Sequence, residues 1–535
     1  MVLEELLIRL LIFRMIQKNK IPYDFYASLE TKEWRKNFKS SINELDLNSF
    51  FLSQEERILS YIESLSCDKK KNLVLLCLPL ITSRFNEILI ATIMLKEGDN
   101  LGIEYVSKIP EVRFLKNGID FIRDKKIKTE PRFLFIRRII RTLSWTKWYQ
   151  FLSVFKTPDI VAISHNSTLR KYAKCSNEKI YFIQASELLR KIDSGQVKET
   201  HNLNITEISN DIYYVLLNDC IIESTYQDRF NKLAHNLIIE LLENGFDDLE
   251  KCYSYDKFPS TIWTATPQEY FSRLFALSSL YHNGSSVGFS HSTTPIIAGT
   301  KNYSLINELS VTSSYVCMSK KSKNLISTTL TKKINPTLLY VDGDSMFENI
   351  NSKVIFSDIP CVVYVNGAIK DLSRGTVLIN SMSYLEWQLR VSDFLDKLNI
   401  NLIVQPHPEG VFKDLSIKHP LLSKYNQEKR KFEDIMHQAD VFLIDAANSS
   451  AFGMMLLTNK PVVLFDFYGE KNGYKSRPEV RKIIDKRCRV IDIHYNNNTN
   501  LPYFDYKSLS EALTMDWRES VDSSEIEELL LNKKI

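Results

Sequence analysis

The residues best suited to carry out chemistry lie toward the end of the chain, in two short motifs. The first is Gln405-Pro406-His407-Pro408 and the second is Asn448-Ser449-Ser450. An apolar run typical of a buried strand ends just before each motif, and an apolar run typical of a helix follows the second. The start of a helix offers free backbone N–H groups and a partial positive charge, and serine hydroxyls there add further donors. An imidazole beside a serine-capped helix start is therefore suited to hold a phosphate group.

Each motif also has a structural alternative. A Ser-Ser pair at a helix start often does no more than cap the helix, and a His-Pro pair is common in loops. Ligands of open parallel sheets, however, bind just outside the carboxyl ends of the strands, and both motifs follow strands of one predicted unit. We therefore expect a phosphate-binding site made of His407, Pro408, Asn448, Ser449 and Ser450, with His407 also taking part in catalysis.

A second histidine, His291, ends the apolar run Ser-Val-Gly-Phe-Ser in the first half of the chain. At a strand end, an imidazole can act as a general base or bind a phosphate or an acceptor. The alternative is a hydrogen-bonded structural histidine. We expect a catalytic role for His291. His165 and Glu187 also follow predicted strands, and the sequence does not rank them.

These residues need parallel sheets to position them, and alternating strand-like and helix-like runs predict such sheets. In the first half we predict strands at 72–81, 159–164, 179–185, 261–265, 286–290 and 314–318, with helical stretches at 83–97, 131–155, 166–175, 205–253 and 267–281. In the second half we predict strands at 338–341, 361–365, 401–404, 441–444, 461–465 and 489–493, with helices at 384–398, 431–438, 449–457, 509–513 and 524–531. The boundary between two domains is expected within 325–375.

Composition narrows the class of protein. The 535 residues are too many for one ordinary core, and a net charge of +4 does not by itself indicate nucleic acid. None of the eight cysteines stands at C-x-x-C spacing, which favours buried thiols in a reducing compartment over a zinc site. Residues 1–15 predict an amphipathic helix rather than a signal peptide. We expect no other segment long and apolar enough to span a membrane.

Several phosphate and metal motifs are missing from the sequence. Neither a Walker phosphate loop nor a G-x-G-x-x-G follows a predicted strand. Asp342-Gly343-Asp344 is the nearest match to a metal-binding Asp-x-Asp motif, and an Asp-Gly turn explains it adequately. We therefore expect no metal site.

The segment 370–470, with His407-Pro408 followed by Ser449-Ser450, resembles the donor-binding domain of bacterial GT-B glycosyltransferases of capsule and lipopolysaccharide assembly. It is particularly similar to those that use CMP-activated acidic sugars: the sialyltransferases, polysialyltransferases and Kdo transferases, in which both motifs contact the CMP phosphate. His291 followed by Glu308 resembles the strand-ending His-Gly and later acidic residue of many surface-polysaccharide transferases, although Ser292 replaces the glycine. The acidic-acidic-glycine motif that holds the sialyltransferase base is not matched at Asp342.

The resemblance implies a GT-B-like α/β fold, in which two Rossmann-type parallel-sheet domains with helical elaborations face a central cleft. It implies an acceptor and catalytic domain over 1–335 and a nucleotide-sugar donor domain over 336–510. Residues 511–535 are expected to form C-terminal helices, for which crossing back to the first domain is one arrangement.

The implied activity is metal-independent transfer of a sugar, most plausibly of the Kdo or sialic-acid type, from a CMP-activated donor to a glycan or lipid-linked glycan acceptor. The resemblance implies no cofactor and no nucleic acid, and a location in the cytoplasm or at the periphery of the inner membrane. Two other functions stay open: a CDP-glycerol-type glycerophosphotransferase, and a non-catalytic partner in polysaccharide biosynthesis. The sequence does not choose between a base and a nucleophile in the first domain.

Overall fold

The computed structural model of the protein is an α/β fold with two parallel β-sheets. The structure describes residues 19–31, 33–119, 160–193, 203–218, 225–291, 296–297, 301–343, 345–347, 350, 358–370, 379–407, 411, 428, 430–445, 447–467, 473–514 and 521–533. The helices predicted at 1–15 and 131–155, Pro408 and Asp344 lie outside these residues.

An N-terminal unit precedes the first large sheet. Its strands β1 (Asn19–Pro22) and β2 (Ile103–Val106) pair in parallel. Its helices are α1 (Phe25–Glu30), α2 (Glu44–Ser64), α3 (Asp68–Asn100) and α4 (Pro110–Asn117).

The strand predicted at 72–81 is wrong, because these residues belong to helix α3. The residues from Leu73 to Leu78 are all buried, because the later helices 227–253 and 270–281 both pack against α3. A helix that is buried all round loses its 3.6-residue pattern, and an apolar run then fits a strand equally well. Pro79 lies inside the helix. By length and composition α3 is also apolar enough to cross a membrane, and 67% of the window that meets this test is buried inside the protein.

The first large sheet has six parallel strands in the order β4-β3-β5-β6-β7-β8. They are β3 (Ile160–Ala162), β4 (Ile180–Phe182), β5 (Thr261–Thr264), β6 (Ser285–Phe289), β7 (Ser314–Cys317) and β8 (Thr337–Tyr340). Their helices are α5 (Ser167–Cys175), α6 (Ala185–Asp193), α7 (Ile205–Leu217), α8 (Gln227–Tyr253), α9 (Tyr270–Tyr281), α10 (Lys301–Ser304) with a π-helical continuation (Leu305–Leu309), and α11 (Lys320–Ser327). The strand order reverses between β3 and β5.

The second sheet has five parallel strands in the order β10-β9-β11-β12-β13. They are β9 (Cys361–Val365), β10 (Asn401–Gln405), β11 (Val441–Ile444), β12 (Val462–Asp466) and β13 (Arg489–Asp492). A short antiparallel pair, β14 (His494–Tyr495) and β15 (Pro502–Tyr503), follows. The helices are α12 (Ser381–Leu395), α13 (Phe432–Ile435), α14 (Ser450–Leu457), α15 (Pro478–Arg487), α16 (Tyr506–Thr514) and α17 (Ser524–Leu531). Here the order reverses between β9 and β11.

The prediction of an α/β fold with parallel sheets is confirmed. The strand predicted at 338–341, placed with the second half of the chain, instead forms the edge of the first sheet, where β8 pairs with β7. The chain therefore passes from one sheet to the other between Tyr340 and Cys361. The domain limits at 335 and 510 stay predictions.

Several contacts join the two halves. Glu44 of α2 accepts hydrogen bonds from the backbone N–H (2.9 Å) and side-chain amide (2.7 Å) of Asn380, which caps α12. Helix α17 packs against α11 of the first sheet, where the Lys321 ammonium lies 2.7 Å from Glu528 Oε2. The N-terminal unit and the last helix thus both connect regions that are distant in sequence.

Candidate functional site

The carboxyl edge of the second sheet carries most of the predicted phosphate-binding residues. His407 follows β10, and Asn448, Ser449 and Ser450 follow β11; all four are half-buried. Strand β9 lies between these two strands, so their backbones are about 10 Å apart. The reversal of strand order between β9 and β11 makes this edge the place where open parallel sheets form a ligand crevice. Pro408 lies outside the described residues.

Ser449 caps helix α14. Its backbone is extended (φ −84°, ψ 143°), and its Oγ accepts a hydrogen bond of 3.2 Å from the N–H of Ala451. Ser449 therefore caps the helix, as the structural alternative for the Ser-Ser pair predicts, and its hydroxyl oxygen accepts the hydrogen bond. Ser450 is the first residue of the helix itself. It belongs to the first helical turn, whose backbone N–H groups have no acceptor within the helix.

The buried carboxylate of Asp445 stabilises this edge of the sheet. Asp445, directly after β11, accepts hydrogen bonds from the Tyr384 hydroxyl (2.6 Å), the Tyr364 hydroxyl (2.8 Å to Oδ2) and the Trp387 indole N–H (3.2 Å). Burial raises the pKa of Asp445 to about 7, although these donors oppose the rise. Tyr384 also accepts a hydrogen bond from the N–H of Gly367, just past β9. One side chain therefore ties the ends of β9 and β11 to helix α12.

Two buried amides at the same edge have acceptors that no described residue satisfies. They are Asn366, just past β9, and Gln405, the last residue of β10, with exposed fractions of 5% and 8%. Asn366 Oδ1 and Gln405 Oε1 receive no hydrogen bond within the described part of the chain. A buried acceptor without a donor costs about 1–3 kcal/mol. A ligand with amino or hydroxyl groups can remove this cost. The sequence indicates no role for Gln405, although this residue opens the Gln-Pro-His-Pro motif, and Asn366 belongs to no recognised motif.

The first sheet presents a histidine–glutamate pair at its carboxyl edge. His291 Nδ1 lies 3.6 Å from Glu308 Oε1; the Glu308 side chain is only 2% exposed and that of His291 is 22% exposed. The Tyr315 hydroxyl donates a 3.3 Å hydrogen bond to Glu308 Oε2. Burial raises the pKa of Glu308, and the His291 imidazole, the Tyr315 hydroxyl and the Arg273 guanidinium oppose the rise. The structure thus places His291 beside the acidic residue that follows it in the sequence.

Arg273 holds the π-helix that carries Glu308. Its buried guanidinium donates to the carbonyls of Asn307 (3.0 Å) and Ile306 (3.2 Å), and to the carbonyl of Leu75 on α3 (2.6 Å). Burial lowers the pKa of Arg273 to about 9. π-Helical turns are rare and often occur at functional sites.

Asn166, just past β3, fixes the backbone beside His291. Its side-chain amide donates to the carbonyls of Ser290 (3.0 Å) and Ala265 (3.2 Å). It therefore joins the carboxyl ends of β3, β5 and β6. The sequence predicts Asn166 only as the first residue of a helix.

The carboxyl edges of the two sheets touch at Arg477. This residue follows β12 and caps helix α15. Its guanidinium donates to the carbonyl of Ile296 (3.0 Å) and to the Ser304 hydroxyl (3.4 Å), both beyond β6 of the first sheet. Burial lowers the pKa of Arg477 to about 10.

The remaining candidates lie elsewhere. His165 is exposed after β3, and Glu187 lies in the first turn of helix α6 rather than at a strand end. Asp342 and Gly343 form a turn in which Gly343 has a φ of +81°. The Asp342 carboxylate accepts a hydrogen bond of 2.9 Å from Asn532. Among the described residues, no group of three or more His, Cys, Asp or Glu side chains is arranged to hold a metal ion.

Comparison of the sequence with protein-family models and with curated proteins finds no match.

Proposed function

We propose that the protein is a GT-B-like glycosyltransferase that moves an acidic sugar from a CMP-activated donor to a glycan acceptor. The observation that carries the proposal is the Arg477 contact between the carboxyl edges of the two sheets. One edge bears His407 and the Ser449-Ser450 helix start, and the other bears the His291–Glu308 pair. Group transfer needs a donor site and an acceptor base that face one cleft, and the contact between the two edges supports such an arrangement.

On the donor side, the phosphate of the nucleotide lies between His407 and the start of α14. The His407 imidazole, the Ser450 hydroxyl and the backbone N–H group of Ser450 at the start of the helix donate hydrogen bonds to its oxygens. These bonds strengthen as the phosphate gains negative charge on leaving, so they lower the barrier. The unsatisfied oxygens of Asn366 and Gln405 accept hydrogen bonds from amino or hydroxyl groups of the donor.

On the acceptor side, His291 is the general base. Its Nδ1 lies 3.6 Å from Glu308 Oε1, and in the proposed step its Nε2 takes the proton from an acceptor hydroxyl. The acceptor oxygen forms a bond to the anomeric carbon while the bond from that carbon to the phosphate oxygen breaks. The nucleotide leaves with the electron pair, and Glu308 stabilises the imidazolium.

Nucleotide binding and donor turnover test this function. In calorimetry, we expect CMP to bind more tightly than UDP or GDP, and the protein to release CMP from a CMP-linked acidic sugar. His407→Ala should lower CMP release about a hundredfold, because losing one donor to a developing anion costs about 3 kcal/mol. His437→Ala, which alters an exposed histidine of the same sheet domain, is the matched control.

Three results would contradict the proposal. They are the absence of CMP binding, near wild-type turnover by His407→Ala at saturating donor, and turnover of CDP-glycerol in place of the CMP-sugar. The last result would assign the same phosphate site to a glycerophosphotransferase.

A further inference from the structure

A cavity of about 570 Å³ lies between the N-terminal unit and the second sheet. Tyr26 of α1, Arg84 and Glu87 of α3, and Lys108 line one side. Lys370 lines the other, and the chain reaches it five residues beyond the end of β9. Its volume is in the range of small-molecule sites. The cavity therefore adjoins the edge of the second sheet where the order of strands reverses.

The wall formed by the N-terminal unit is held in place. Asp24, the N-cap of α1, accepts hydrogen bonds from the Ser107 hydroxyl (2.7 Å) and the backbone N–H of Lys108 (2.9 Å). The loop after β2 is thus fixed against α1. A wall fixed before binding costs little conformational entropy when a ligand binds.

The cationic side chains that line the cavity differ in whether they form ion pairs. Arg84 Nη1 lies 3.0 Å from Glu87 Oε2, and Lys108 Nζ lies 2.6 Å from Glu30 Oε2. Lys370 has no ion pair with any residue in the described ranges, although it acts electrostatically on Glu87. Glu111 also lines the cavity, so three cationic side chains face two acidic ones there. Lys370 is the cation of this lining that has no ion pair within the described ranges, and it is placed to attract an anion.

Glu87 supplies a second polar contact. Its side chain is 9% exposed, and burial raises the pKa of its carboxyl, against the opposing effect of Arg84. Arg84 engages Oε2, which leaves Oε1 to accept a hydrogen bond from a hydroxyl. Tyr26 lines the same cavity. Hydroxyl acceptors beside an aromatic ring suit a sugar, and the Lys370 ammonium suits one with a negative charge.

We propose that this cavity binds a sugar that carries an anionic group, with the anion at Lys370 and a ring hydroxyl at Glu87. Within the proposed glycosyltransferase we assign this cavity to the acceptor, an assignment that rests on that proposed function. The binding itself does not depend on turnover.

Ligand-observed NMR titration of the full chain tests the binding with D-glucuronate, glucose 6-phosphate and glucose. We expect both anionic sugars to bind at least fivefold more tightly than glucose, and a preference between the two identifies a carboxylate or a phosphate as the anion. Lys370→Gln should weaken the anionic sugars about tenfold and leave glucose unchanged, since a hydrogen bond to a charged group contributes about 1.5–3 kcal/mol. Lys370→Arg should keep most of the affinity.

Lys507→Gln is the matched control, because Lys507 is a highly exposed lysine on α16. Equal affinity for glucose and glucuronate, or an unchanged affinity in Lys370→Gln, would overturn the proposal. CMP affinity, measured on the same Lys370→Gln sample, should equal that of the wild type. Loss of sugar binding with CMP binding intact therefore separates this subsite from the donor site, and failure of CMP binding in the wild type counts only against the proposed function.

Discussion

The buried carboxylates of Asp445 and Glu308 differ in the side chains that surround them. Asp445 is surrounded by the hydroxyl and indole donors of Tyr364, Tyr384 and Trp387. Glu308 is equally buried but lies beside an imidazole that reaches solvent. The first arrangement holds strand ends together, whereas the second places a buried carboxyl group beside a partly exposed imidazole. Asp445 therefore has a structural role, and a chemical role for Glu308 through His291 belongs to the proposed function.

The pKa of Asp445 predicts a pH dependence of stability. Burial raises this pKa from an ordinary 3.8 to about 7 in the folded protein. Between these values the folded protein holds a proton that the unfolded chain has lost, so stability falls as pH rises and levels off above pH 7. From pH 5 to pH 8 this group should cost about 2–3 kcal/mol.

Thermal unfolding of wild type and Asp445→Asn at pH 5 and pH 8 measures this effect. The wild type should lose more stability between the two pH values than the variant, whose side chain does not titrate. The same pH dependence in both proteins would show that the carboxylate is charged throughout this range.

At the level of single residues, the sequence identifies candidate functional residues when their type is unusual at that point in the pattern of strands and helices. A histidine between prolines and a Ser-Ser pair after an apolar run both meet that condition. Asn366, Gln405 and Arg477 do not, because their importance comes from burial and from contacts across the fold. No sequence pattern distinguishes such an asparagine from one in an ordinary loop.

Among the elements, helix α14 has two roles that experiment can separate. If Ser449 and Ser450 only cap the helix, replacing both by alanine should cost about 1 kcal/mol of stability and leave nucleotide affinity unchanged. If they also hold the donor phosphate, as we propose, the double variant should bind CMP about tenfold more weakly or worse. Cytidine, which lacks the phosphate, should lose almost nothing.

Calorimetry with CMP and cytidine on the double variant gives the answer. Equal CMP affinities for variant and wild type would reduce the serine pair to a helix cap. The phosphate site would then depend on His407 alone.

Elements differ in how well their sequences predict them. Strands β9 to β13 lie within about two residues of their predicted limits, because each is a short apolar run bounded by polar residues. The part of helix α3 at 72–81 was predicted as a strand, because its apolar run lies among other helices and lacks a polar face, whereas the part at 83–97 was predicted correctly as a helix. The strand orders, which place the reversals at β3/β5 and β9/β11, depend on contacts between distant segments and could not be predicted.

For the whole molecule, contacts of different kinds hold the N-terminal unit and the two sheets together. Glu44 and Asn380 join the N-terminal unit to the second sheet region in a buried contact. Arg35 and Asp393 form a partly exposed ion pair of 2.6 Å between the same parts. Arg477 differs from both because it joins the carboxyl edges themselves. It is therefore the contact through which alignment of the proposed donor and acceptor sites can be tested.

Arg477→Leu should separate binding from turnover. The donor edge keeps its own residues, so we expect the Kd for CMP to change less than about twofold. CMP release should fall about tenfold to a hundredfold, because charge-assisted hydrogen bonds worth about 1.5–3 kcal/mol no longer align the two edges. Arg481→Leu, an exposed arginine on the same helix paired with Asp485, should behave as the wild type. Unchanged turnover in Arg477→Leu would show that the contact is not needed for alignment.

The contact between α17 and α11 has a consequence for biosynthesis. The Ser319 hydroxyl bonds to the carbonyl of Leu529, 210 residues later in the chain. At about 5–20 residues per second, a ribosome needs about 10–40 s to make that intervening chain. During this time the surface of α11 that α17 covers stays open to water and to other nascent chains. The first sheet can form early in synthesis. Helix α17 covers the surface of α11 only after the whole second sheet has been synthesised.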